Sequence, residues 1–97
     1  MASGGRRFEW DPEKRRLNLQ KHGLDFADAR LVLEGLTWTF EDVREGYGER
    51  REVAYGFLEH VIVTIAFTES DDGAIRIISM RKATRHEQRR FLRNIPD

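Results

Sequence analysis

From Leu36 to Met80 the apolar side chains recur at every second residue or run together, whereas on either side of that span they recur every three or four. The change of period, from near 3.6 to 2, separates helix from strand. Leu36, Trp38 and Phe40 alternate with Thr37, Thr39 and Glu41, which predicts a half-buried strand. Arg51 to Leu58 alternates again, with Val53, Tyr55 and Phe57 on one face. Val61 to Thr68 is apolar on both faces, so it belongs in the middle of a sheet. Ala74 to Met80 forms the last strand. The connections are a polar, glycine-containing loop over Asp42–Glu49, a tight turn at Glu59-His60 and a turn over Glu69–Gly73. Glu-His is not a pair that hairpin turns favour.

Ahead of the strands, Arg7 to Trp10 has the aromatic content of a short strand, and Asp11-Pro12 opens a helix. Asp11 can accept from free amides, and proline suits the first helical position because it has no N–H to satisfy. That helix runs to His22, where Gly23 supplies a left-handed end. Asp25 caps a second helix reaching Glu34, with Phe26, Ala29, Val32 and Leu33 apolar and Gly35 as its stop. After the strands, Thr84 and Glu87 stand three apart as a capping box, opening a helix with Phe91, Leu92 and Ile95 inward. The order is β-α-α-β-β-β-β-α, an α+β class with an antiparallel sheet packed by helices.

At 97 residues this is expected to be one domain over residues 7–97, behind a disordered leader of residues 1–6. With no cysteine there is neither a disulfide framework nor a thiolate ligand or nucleophile, and three scattered histidines do not suggest structural zinc. No metal or cofactor is expected. The longest apolar run, Val61 to Phe67, is too short to span a bilayer, and no secretory pattern opens the chain. A small, soluble, cytoplasmic domain without a membrane partner is the expectation.

Charge sharpens that picture. The net charge is zero, yet residues 76–93 hold seven Lys/Arg against one acid, Glu87, a balance of +6. Residues 1–75 hold ten basic and 15 acidic residues, a balance of −5. A basic end on an acidic body suits a polyanionic partner at that end.

On a regular last strand Arg76, Ile78, Met80 and Lys82 share one face, and Ile75, Ile77, Ser79 and Arg81 the other. A buried lone charge is costly, so Arg76 is expected on the open face or at its edge, paired with Glu69 or Glu52 if it is scaffold. Arg81 and Lys82 precede the capped helix, whose N-terminal amides and dipole favour phosphate. His22 closes the first helix, where its charged form is favoured; it is either a dipole contact or a general acid or base. Glu69, at the end of the central strand, is placed to hold Arg76 or to accept a proton. No phosphate-cradling glycine loop, serine–histidine–acid grouping or carboxylate cluster is visible.

Phe8-Glu-Trp-Asp-Pro12, Asn18 with Lys21-His22-Gly23, Phe26 with Ala29, Tyr47-Gly48-Glu49, Phe67-Thr68-Glu69 and Arg76-Ile-Ile-Ser-Met-Arg-Lys-Ala83 stand in order along the chain. This pattern resembles the BrnT family, toxins of bacterial type II toxin–antitoxin systems, from Phe8 to Phe91. The resemblance implies a RelE-like ribonuclease fold, inhibition of translation in stress responses and a DNA-binding antitoxin of the BrnA type, with DNA reached only through that antitoxin. Two residues depart from the pattern: Met80 replaces a small residue, which is expected to narrow the pocket beside Arg81, and Phe91 stands where many relatives carry tyrosine.

The reading is a metal-independent endoribonuclease in which an RNA 2′-hydroxyl attacks its neighbouring phosphate, so that the protein supplies position, proton transfer and charge stabilisation. Arg76 and Arg81 are the candidates for charge stabilisation. His22, Lys21 and Glu69 are the candidates for proton transfer. Lys82, Arg85 and Arg89, with Lys21, extend the RNA contact. The alternative is a non-catalytic module whose basic end receives an acidic antitoxin segment.

Overall fold

The computed structural model describes residues 6–43 and 50–96. Residues 1–5 and most of the loop expected over 42–49 lie outside the described residues. Arg6, placed in the leader by the sequence, is fastened: its guanidinium meets Glu69 at 3.1 Å and its carbonyl accepts from Arg30.

The elements are β1 (Phe8–Glu9), α1 (Pro12–His22), α2 (Ala29–Leu33), β2 (Thr37–Asp42), β3 (Arg51–Leu58), β4 (Val61–Glu69), β5 (Ile75–Lys82) and α3 (Arg85–Asn94). Asp11 caps α1 by accepting from the Glu13 amide, and Gly23 ends it at φ 73°. Asp25 caps as expected, accepting from the Ala27 amide, but it opens a single 3-10 turn over Phe26–Asp28 before α2 begins. There the Ala29 amide reaches back three residues, to the Phe26 carbonyl. Both halves of the capping box at Thr84 and Glu87 form.

The sheet order is β1-β5-β4-β3-β2, with β4 at the centre. β2 to β5 form the expected antiparallel meander, whereas β1 pairs parallel to β5, so the sheet is mixed. The polar turn at Glu59-His60 closes β3 onto β4 by placing Glu59 at φ 57°, a left-handed conformation that a non-glycine side chain adopts at a cost.

One sheet face carries the main core: Phe26, Ala29 and Val32 pack on Ala54, Val63, Ile65, Phe67, Ile75, Ile77 and Met80. α2 sits so close that a Cβ on Gly56 would lie 2.7 Å from Val32 Cγ1. α1 has no apolar stripe; its buried residue is Asn18. That amide donates to the carbonyls of Met80 (2.8 Å) and Leu24 (3.1 Å) and accepts from the Met80 amide (3.2 Å). Asn18 therefore satisfies the backbone of β5 on the edge that two-residue β1 leaves uncovered.

α3 lies on the opposite face, where Phe91 is fully buried with its ring 5.3 Å from that of Phe57. Leu92, expected inward, is 55% exposed. The stripe facing the sheet runs Glu87, Arg90, Phe91, and the next residue turns away by about 100°.

The strand alternation of β5 is broken. Ala66 of β4 pairs with Ser79 and Phe67 with Ile77, so Ile78 is an extra residue and forms a β-bulge. Ile75, Ile77 and Met80 face the core, while Arg76, Ser79 and Arg81 pair with Thr68, Ala66 and Thr64 and face the other way. The sequence expectation that Arg76 and Arg81 occupy opposite faces is thus corrected, because one inserted residue restores them to the same side. The strand also continues through Lys82 instead of ending at Met80. Met80 is fully buried on the core face, so it does not narrow the space beside Arg81.

Candidate active site

The open face of the sheet holds a cleft of about 430 Å³ under α3, lined by Phe40, Tyr55, Thr64, Ser79, Arg81, Glu87 and Arg90 among others. Its central feature is a fork. Arg81 Nη1 and Nη2 donate to Glu87 Oε1 and Oε2, both at 2.8 Å, and Arg81 Nη1 also reaches the Lys82 carbonyl. The same carboxylate accepts from the Thr84 amide at 2.8 Å and from the Thr64 hydroxyl at 3.2 Å. Glu87 thus closes the capping box, docks α3 on β4 and fixes the plane of the Arg81 guanidinium. The Arg81 hydrogen bonds hold its carboxyl well down, at about 2, against the opposing effect of burial.

Tyr55 forms the floor. It is 2% exposed, and burial, reinforced by the Glu87 charge, raises its phenol pKa, so the hydroxyl stays protonated and able to donate at neutral pH. Its ring lies 5.7 Å from Trp38 and 5.3 Å from Phe40, and the Arg90 guanidinium carbon stands 5.1 Å from the centroids of both Trp38 and Phe40.

The other predicted residues fall elsewhere. Arg76 shares the open face but stands at its far end, where its partner is Glu9 at 3.4 Å and not Glu69 or Glu52. Thr68 and Thr64, opposite Arg76 and Arg81, are four residues apart, or ~13 Å along the strand. Arg76 and Glu69 border a second depression of about 240 Å³ with Glu9, Arg50 and Thr68. Lys21 and His22, at the end of α1, do not line the Arg81 cleft, and neither does Glu69. Lys82, Arg85 and Arg89 are exposed and make no ion pair with any described residue.

Tyr55, Glu87 and Arg90 were not picked out as site residues by sequence reasoning. A signal existed for two of them: Glu87 and Arg90 are three apart and share one helix stripe with Phe91, and Glu87 is the lone acid in a basic run. Tyr55 gave none beyond its strand face.

Residues 10–87 match the family described as the ribonuclease toxin BrnT of type II toxin–antitoxin systems. The chain belongs to this family. Among solved structures it is similar to the crystal structure of the Brucella abortus ribonuclease toxin BrnT. The two share 31% sequence identity and a TM-score of 0.60 over 82% of this chain and 99% of that one. No curated protein matches the chain. As a BrnT-family chain it is a ribonuclease toxin, with RNA as its substrate and an antitoxin as its partner. Among the described residues no helix is long and apolar enough to cross a membrane.

Proposed function

We propose that this BrnT-family toxin cuts RNA in the cleft beneath α3 by a route in which the 2′-hydroxyl attacks the adjacent phosphate, and that the cut stops translation in the cytoplasm. An internal nucleophile needs no metal and no covalent intermediate on the protein; it needs the phosphate's growing charge met by fixed donors. The observation that carries this reading is the Arg81 fork. Glu87 orients the guanidinium in advance, so little reorganisation is left for the transition state. Tyr55 adds a neutral hydroxyl at the same wall and is our assignment for proton donation. His22 and Glu69 are the alternative proton carriers.

Arg76 and the exposed Lys82, Arg85 and Arg89, with Lys21, serve as phosphate contacts outside the cleft, felt through charge. The ~13 Å along the strand between the positions of Arg76 and Arg81 supports contacts to different phosphates of one RNA strand. The partner is a ribbon-helix-helix antitoxin of the BrnA type, and DNA is engaged through that partner alone. One domain over residues 7–97 suffices for these roles.

Single-turnover cleavage of one RNA at saturating enzyme tests the assignment. Arg81→Ala is expected to slow the step at least about tenfold, ~1.4 kcal/mol of transition-state stabilisation, with a 2′,3′-cyclic phosphate on the product and no effect of a chelator. Cleavage at the parental rate by Arg81→Ala would remove it from the chemistry. His22→Ala and Glu69→Ala, run beside Tyr55→Phe, decide which of the three carries a proton.

A further inference from the structure

The Arg81 cleft has a second wall that phosphate chemistry does not use. Trp38 and Phe40 lie two residues apart on β2, on the same face as Tyr55, with ring centroids 5.0 Å apart. Together with Tyr55 they form an aromatic cluster, with ring centroids 5.7 Å (Trp38–Tyr55) and 5.3 Å (Phe40–Tyr55) apart. Arg90 comes from α3 and stands 5.1 Å from both ring centroids. Phe40, Tyr55 and Arg90 all line the cleft that Arg81 borders.

A helix can be docked on a sheet by apolar contact alone, and Phe91 against Phe57 already does that here. The Arg90 contact adds a planar cation to an aromatic base at the mouth of a cleft of ligand size. Unpaired nucleobases are held on such surfaces, stacked on aromatic rings or on arginine guanidinium planes.

We infer that Arg90, held against Trp38 and Phe40, is a stacking platform for one unpaired nucleobase of the RNA, whose phosphate then falls at Arg81. The inference rests on the RNA reading of the cleft and deepens it by naming the subsite. The base enters from the open side of the cleft and stacks on the guanidinium, with the aromatic pair behind it. Stacking accepts any base, because every base has a π-face. The platform therefore selects for single-stranded RNA more than for sequence, since a paired base cannot leave its helix without cost.

The test uses a short single-stranded 2′-O-methyl RNA, which binds without being cut, and a set of the same oligonucleotide with one abasic position moved along it. Binding is read by fluorescence anisotropy for the parental protein, Arg90→Lys and Phe40→Leu, each checked for folding by circular dichroism. In the parental protein one abasic position is expected to weaken binding about tenfold. Arg90→Lys and Phe40→Leu are expected to bind the intact oligonucleotide about tenfold more weakly and to lose the abasic penalty. Arg90→Lys keeps the charge, so its salt dependence stays at the parental slope. An arginine that merely docks α3 would leave the abasic penalty intact in Arg90→Lys, and that result overturns the inference. So does a parental protein that cuts RNA yet shows no abasic-sensitive position, which leaves the cleavage reading standing. A parental protein that neither binds nor cuts RNA overturns both.

Discussion

Replacing Glu87 by Gln tests how the cleft is held together, because it removes the charge and keeps the shape. The glutamine oxygen still accepts from the Thr84 amide, so the cap survives, but the Arg81 fork loses its anion and faces an amide N–H. The carboxyl sits at about 2 in the folded protein against a usual 4.5. At ~1.4 kcal/mol per pH unit of separation that sets an upper figure of ~3 kcal/mol. Glu87 is 17% exposed but Arg81 is 38% exposed, so water screens the pair and ~1.5–2 kcal/mol is expected. The sign follows from the depressed pKa. As pH falls the unfolded chain takes up the proton first, so the stabilisation is complete above about pH 4.5 and is lost as pH drops through about 2. Urea titrations followed by circular dichroism at a series of pH values read the difference directly, and urea avoids the ionic screening that guanidinium would add. Glu87→Gln should be less stable by ~2 kcal/mol at pH 7, with more than half of that gap gone by about pH 3. A gap below ~0.5 kcal/mol at pH 7, or one equal at both ends, would mean that the fork contributes no charge-dependent stability.

Asn18→Ala should cost ~3 kcal/mol in the same titration, because the buried carbonyl and amide of Met80 and the half-buried Leu24 carbonyl lose one shared partner; the Met80 amide should also exchange faster with solvent. Thr84→Ala should cost ~0.5–2 kcal/mol by removing the hydroxyl that accepts from the Glu87 amide, and an unchanged urea midpoint would argue that the cap is idle. Arg89→Ala should weaken RNA binding modestly at low salt and not at high salt, while leaving the saturated cleavage rate alone; a loss that persists in salt would point to a specific contact. Glu59→Gly should raise stability by ~0.5 kcal/mol, since relief of the left-handed backbone outweighs the added freedom of the unfolded chain.

The helix boundaries were legible because each is written in one or two residues beside the backbone they serve. Asp11 with Pro12, Gly23, and Thr84 with Glu87 act within four residues of themselves. The strands were legible from alternation, and the central place of β4 from its two apolar faces. The parallel pairing of β1 was not, since two residues carry no periodicity and their direction is set by the chain that α1 and α2 must turn back across the sheet. Asn18 was equally opaque: one polar residue among many on a helix reads as solvent-facing until the edge it covers is known. The basic end was visible as charge, but charge did not say which cations are engaged. Arg81 and Arg90 are taken up by Glu87 and by the aromatic pair, while Lys82, Arg85 and Arg89 look outward.

The bulge at Ile78 decides more of the site than any charged residue does. Without it, a strand that buries Ile75 and Ile77 would send Ser79 and Arg81 to the same side, into the core beside Ile65 and Phe67. A guanidinium there would lie unpaired among apolar side chains, at a cost beyond what one small domain can absorb. Register after the bulge is pinned from both sides. Asn18 binds both backbone groups of Met80, and Arg81, one residue on, is gripped by Glu87 from α3. Slippage by one residue would break both at once, so the two hydrogen-bonded anchors and the buried Met80 select the same register. The geometry of the cleft is therefore a consequence of an inserted residue in a strand, and Asn18 is the scaffold residue that holds its register. Asn18→Asp separates the two roles: at neutral pH its carboxylate faces the carbonyls of Met80 and Leu24 and should destabilise β5 strongly, whereas below its pKa the acid can again donate one hydrogen bond. Stability of that variant should rise relative to the parental protein as pH falls towards 4, and a relative fall would show that Asn18 does not hold this edge.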